Sequence, residues 1–146
     1  MMSEKRILDI IHHKLGDRVH DFLIPPPIFR EMHGEFIDFD EEHSVLSTRF
    51  PVLEKYLNPY GSMQGGVVAT AVDNTFGPLS MLIAPPNVTR RFEIKFSRPI
   101  TLDLEFITVE ARMINFSGRW LDLMAEVRDP AGQLLARAKA RHWIVE

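Results

Sequence analysis

The stretch from Gly65 to Leu82, GGVVATAVDNTFGPLSML, most constrains the fold of this chain. Read at helical period it is apolar on nearly every side, so a helix here must be covered all round. A curved sheet wrapped around it does that, with help from a partner subunit. Ala69, Thr70 and Ala71 are small enough for close approach. Gly77-Pro78 is expected to kink or interrupt the helix, because Pro78 lacks the N–H that would bond the carbonyl of Asn74. Asp73 is the one carboxylate in the stretch, and a lone carboxylate is costly to bury without a purpose.

The flanking sequence supplies the sheet. Ile28 to Val52 reads as a strand, an acidic turn at Asp38 to Glu42, and a second strand. Phe92, Ile94 and Phe96 alternate with Arg91, Glu93 and Lys95. A long strand is expected over 104–116, a turn at Ser117-Gly118, and a strand over 119–128 with Leu121, Leu123, Ala125 and Val127 on one face. Asp129-Pro130 opens a type I turn, and the last strand alternates from Leu134 to Arg141. Antiparallel strands around one helix make an α+β domain.

Ahead of it, Ile7, Leu8, Ile10, Ile11 and Leu15 mark an amphipathic helix over 4–15 ended by Gly16. A second helical turn takes in Val19, Phe22 and Leu23. Pro25, Pro26 and Pro27 form a stiff connector without regular structure. Residues 1–27 are therefore read as a helical appendage packed on a main domain of 28–146, too short for a core of their own.

Composition narrows the function. A net charge of -3 gives no basic face for nucleic acid, and no apolar run reaches the ~18 residues of a membrane span. The N-terminus is charged too often for a secretory signal, so a cytoplasmic protein is expected. The absence of cysteine removes disulfides, thiolate metal sites and Cys nucleophiles. His12, His13, His20, His33, His43 and His142 show no metal-ligand spacing and read as surface residues. No G-x-S-x-G elbow, phosphate loop or dinucleotide fingerprint is present. The acidic cluster DFDEE reads as a solvated turn rather than a cation site.

Three features around residue 65 can do chemistry together. Backbone N–H groups at Gly65 and Gly66, at a helix start, can meet an oxygen that gains negative charge in acyl transfer. Asp73 can act as general base or nucleophile. Asn58 offers an amide to orient water or the carbonyl. Each also has a plainer reading: a tight helix start, a structural carboxylate, a turn residue before Pro59.

NPYGSMQGGVVATAVDN resembles the signature of hotdog-fold thioesterases of the phenylacetate-pathway (PaaI-like) type, roughly N-x-x-G-x-x-H-G-G followed by an Asp on the same helix. The similarity runs over about residues 35–145, with the first 27 residues outside it. The resemblance implies a hotdog fold and hydrolysis of an acyl-CoA or aroyl-CoA thioester, with coenzyme A part of the substrate and no separate cofactor or metal. It makes Asp73 the catalytic carboxylate, Gly65 the carbonyl-polarising N–H and Asn58 a positioning residue. It places Thr89 where a hydroxyl helps hold the attacking water. Val88, Thr89, Arg90 and Arg91, with Ser117, Gly118 and Arg119, match segments that touch coenzyme A, and Gly66 joins Gly65 at the substrate.

Gln64 departs from the pattern by standing where many relatives carry histidine. Glutamine exchanges hydrogen bonds but shuttles no proton. That disfavours a dehydratase and leaves two readings, a thioesterase relying on Asp73 and a non-catalytic acyl-CoA binding module. Gly65 and Asp73 are eight residues apart, ~12 Å along one helix, too far to flank one thioester carbon. The sequence therefore implies a homodimer or homotetramer in which antiparallel helices bring one subunit's Gly65 beside its partner's Asp73.

Overall fold

Residue types that favour each element recur at the places where the elements form. In the computed structural model, which describes residues 2–146, helix α1 spans Met2–Leu15 and buries Ile7 and Ile11. Met1, counted above in the 1–27 segment, lies outside the described residues. Gly16 stops the helix with φ +56°, a left-handed conformation that glycine adopts without strain. Val19 then sits in a 3₁₀ turn over Gly16–Asp21, which leaves out Phe22 and Leu23.

Helix α2, Pro27–Glu31, replaces the start of the expected first strand. Pro27 has the fixed φ suited to a first helical position, and the turn drives Phe29 fully into the core. There Phe29 stacks on Phe36 at 4.5 Å and meets Phe50 edge-on at 5.6 Å. Gly34 lies beneath these rings, where a Cβ would stand 2.8 Å from Phe50. The hairpin of β1 (Glu35–Asp40) and β2 (Val45–Pro51) turns at residues 41–44. Asp38 and Asp40 are thus strand residues rather than turn residues.

Helix α3, Gly65–Ile83, follows, then β3 (Asn87–Phe96), β4 (Phe106–Ser117), β5 (Trp120–Arg128) and β6 (Leu134–Ile144). Leu102–Leu104 forms a 3₁₀ turn, so the long strand starts at Phe106 rather than at 104. All six strands join one antiparallel sheet in the order β1-β2-β4-β5-β6-β3. The sheet packs on α3, and Leu121, Leu123, Ala125 and Val127 are all fully buried along β5.

One expectation about α3 changes. It runs unbroken through Gly77-Pro78. One missing hydrogen bond is offset by burial of Pro78, Leu79 and Leu82, since a buried Leu returns about 1.5–3 kcal/mol. Within the single chain the sheet covers only part of it. Val68, Ala71, Val72, Phe76 and Leu79 are buried, while Gly66 and Asp73 are exposed within the single chain.

The N-terminal segment is tied to α3 and to the end of the chain. The Lys14 ammonium donates to the carbonyls of Met81 and Ala84, each at 2.9 Å, capping the last turn of α3 where a cation is favoured. Arg18 pairs with Glu146. No helix among the described residues is long and apolar enough to cross a membrane.

Candidate active site

The start of α3 offers free donors. Gln64 is its N-cap, and the Gln64 carbonyl accepts from Val67 N at 2.9 Å and Val68 N at 3.0 Å. The N–H groups of Gly65 and Gly66 find no acceptor among the described residues, as the first turn of a helix requires. The Phe96 ring lies over Gly65, close enough to stand 3.1 Å from an added Cβ, whereas Gly66 faces open space. Asn58, Gly65 and Phe96 share one cleft. The Asn58 Oδ1 accepts from Tyr60 N at 2.9 Å and Ser62 N at 3.1 Å, so it shapes the loop before the helix. Gln64 is exposed, with only a long Nε2 contact of 3.5 Å to the Leu57 carbonyl.

Asp73 lies two turns further along and lines a different cleft, together with Val88 and Thr89 of β3. Its side chain reaches the surface, yet the surrounding protein strips away part of its hydration and raises its pKa above the ordinary carboxylate value. The single chain thus brings Asp73 to Thr89 and Asn58 to Gly65, and leaves the two pairs apart.

Beneath Thr89 is a residue the sequence reading placed on the surface. His142 is 2% exposed. Its Nδ1 lies 2.7 Å from Asn87 Oδ1, and its Nε2 lies 3.4 Å from Thr89 Oγ1. Asn87 Nδ2 donates to the Pro85 carbonyl, which turns Oδ1 toward the ring. His142 Nδ1–H therefore donates to Asn87, leaving Nε2 to accept from the Thr89 hydroxyl. The available signal was register: Ala136, Ala138, Ala140, His142 and Ile144 are alternate residues of β6, all facing the core.

Burial lowers the pKa of His142. The unfolded chain takes up this proton near pH 6.5, while the folded chain resists it. Its contribution to stability is therefore present above the unfolded pKa and lost as pH falls toward the folded one. Asp73 has the opposite sign, because its raised pKa penalises the fold as pH increases. Between pH 8 and pH 5, melting temperature should fall less in His142→Gln than in the parent chain. Equal slopes would contradict this assignment.

The arginines have more varied roles than a basic rim. Arg119 Nη1 donates to the carbonyls of Ile144 at 2.9 Å and Glu146 at 3.2 Å, holding the C-terminus. Arg90 and Arg119 each stand 5.9 Å from the Trp143 ring centroid, and Arg91 lies 3.8 Å from Glu93. Gly118 and Arg119, rather than Ser117 and Gly118, form the β4–β5 turn, with Ser117 ending β4 opposite Trp120 and Gly118 at φ +59°.

No protein-family model matches the sequence, and no curated protein matches it. Solved structures do. PaaI of E. coli, from the phenylacetic acid degradation operon, is 16% identical, covers 93% of this chain and 96% of its own, and has a TM-score of 0.78. That share exceeds what residues 28–146 could supply, so the similarity enters the N-terminal segment, contrary to the limit drawn from sequence. A phenylacetic acid degradation-related protein of Ralstonia eutropha JMP134 is 21% identical over 82% of this chain and 90% of its own, with a TM-score of 0.76. A Streptococcus mutans UA159 protein bound to acetyl-CoA is 19% identical over 77% and 88%, with a TM-score of 0.71. With a six-stranded antiparallel sheet packed on one central helix, and with these matches to PaaI-like proteins, the chain has the hotdog fold.

Proposed function

We propose that the protein hydrolyses an acyl-CoA or aroyl-CoA thioester to the free acid and CoA. The observation that carries this reading is the division of α3 into two half-sites, free N–H groups at Gly65 and Gly66 and a partly desolvated carboxylate at Asp73. In the proposed reaction a Gly65 N–H polarises the thioester carbonyl. Asp73 takes a proton from water as its oxygen bonds to the carbonyl carbon, or attacks that carbon itself. The C–S bond then breaks and the CoA sulfur leaves with a proton, taken from protonated Asp73 in the first route and from solvent in the second. In the second route water finally cleaves the acyl–Asp73 anhydride, which releases the acid and restores the carboxylate. Thr89, held by His142, steadies the attacking water, and Asn58 and Gln64 border the carbonyl. Arg90 and Arg91 meet the phosphates of CoA on the rim formed with Val88 and the Ser117–Arg119 turn.

The half-sites call for two subunits. Strand β3 is a ten-residue edge with one side unpaired in the sheet, and such an edge invites a second chain. It adjoins the open face of α3, where Ala69, Thr70 and Asp73 share a shallow groove with Thr89 and Phe92. A two-fold axis there would lay the helices antiparallel and yield two equal sites. Sedimentation should find a dimer or tetramer, and a stable, active monomer would sink the arrangement.

Thiol release from a panel of acyl-CoAs tests the activity. Gln64, which can carry no proton, favours one other reading, an acyl-CoA binding protein without turnover. Binding without thiol release would select that second reading.

A further inference from the structure

The cleft that ends on Asp73 continues away from it as an apolar groove of about 440 Å³. One wall is α3, presenting Gly77, Pro78 and Met81, and the other is the N-terminal segment from Leu23 to Ile28. Ile11 and Phe36, both buried, contribute to its lining. Leu23, Ile28 and Val88 line it while 74%, 47% and 47% exposed, so apolar side chains are held in water around one opening. Apolar surface gathered in this way marks a binding site. Resting on the thioesterase reading above, we infer that this groove takes the acyl group, and that its ligand is an unbranched apolar chain of medium length, selected by the N-terminal segment.

Size and polarity carry the choice. At roughly 30 Å³ per water, the groove has the space of about fifteen waters, far more than an acetyl group fills. Beyond Asp73, the polar side chains along it each hold at least one partner. Ser80 Oγ donates to the Gly77 carbonyl at 2.7 Å, Asn74 Nδ2 to the Thr70 carbonyl at 2.9 Å, and Asn87 pairs with His142. Residues 23–28 together with Gly77, Pro78 and Met81 put no polar side chain into the far part of the lining, so a hydroxyl or charge reaching it would lose its water without replacement. Asp73 and Thr89 supply polar atoms at the thioester end. The carboxylate anchors one end of the groove and hydrocarbon surface the rest, the usual layout of a small-molecule site.

Gly77 makes the inference testable. A Cβ added there meets nothing within 4 Å, so a larger side chain would enter the groove, and glycine is the weaker helix former. Binding of CoA, acetyl-CoA, hexanoyl-CoA, octanoyl-CoA and phenylacetyl-CoA would be measured by calorimetry on the Asp73→Asn protein, where turnover is suppressed. Burying each methylene should tighten binding up to about fourfold, so octanoyl-CoA should bind at least roughly 30-fold tighter than acetyl-CoA and tighter than phenylacetyl-CoA. Adding Gly77→Leu should erase most of the octanoyl advantage, and Gly77→Ala a smaller part, with the melting temperature maintained. Equal affinity for acetyl- and octanoyl-CoA, a preference for phenylacetyl-CoA, or an equal loss for all ligands in Gly77→Leu would overturn the inference. Thiol release by the parent protein reports separately on the activity. Release without a chain-length gradient leaves the thioesterase reading standing and removes this one, and a gradient without release does the reverse.

Discussion

Asp73→Asn should keep its fold and lose most of its turnover. Asparagine nearly matches aspartate in size but is neither base nor nucleophile, and general-base help alone is worth roughly 10²–10⁴-fold in rate. The structural cost should be small, because Asp73 reaches the surface of α3 and makes no hydrogen bond or ion pair that the fold relies on among the described residues. Its pKa is raised by desolvation. Removing the charge therefore removes a penalty that grows as pH rises, and the melting temperature at neutral pH should stay level or increase. A purely structural aspartate predicts the reverse, a fall in melting temperature with near-normal kcat in the surviving folded protein. Both quantities are read on one preparation, and a folded variant with undiminished kcat ends the catalytic claim.

Phe29→Ala should be among the most damaging single changes to stability. Its ring is fully buried, stacked on Phe36 and edge-on to Phe50. Truncating a buried Phe costs about 3–5 kcal/mol through lost transfer energy and the cavity left behind. In a chain of this length that lowers the melting temperature by roughly 10–16 °C. Thermal denaturation followed by circular dichroism checks it. A shift of a degree or two would mean that α2 is peripheral and that the sheet and α3 pack without it.

That residue also shows where sequence reading stops. The strands of residues 106–144 were legible because hydrophobic alternation at period two survives any tertiary arrangement; Leu121, Leu123, Ala125 and Val127 are read and found on one buried face. The central helix was legible because a long apolar run led by two glycines has few other uses. Ile28 to Glu31 was misread because its length and apolar content suit a strand equally well, and only the docking of Phe29 against Phe36 and Phe50 selects a helical turn. His142 was missed because a histidine among arginines and alanines looks exposed until the strand register is followed. Thr89 came from the family resemblance, and its link to His142 came from the pairing of β3 with β6. Arg119 looked free to meet phosphate because its partners are backbone carbonyls, which leave no trace in side-chain patterns.

Lys14 has a consequence for how the molecule breathes. The last carbonyls of a helix have no partner within it, and here Met81 and Ala84 receive theirs from α1. The residue also feels its partly dry setting, since burial lowers its pKa. Any fluctuation that lifts α1 therefore uncaps α3 in the same event and exposes Ile11 along with it. The first helix and the last turn of the central helix form a single cooperative opening unit, the kind of sub-global element whose amides exchange together. Opening this unit would bare one wall of the apolar groove while β4 and β5 stay closed.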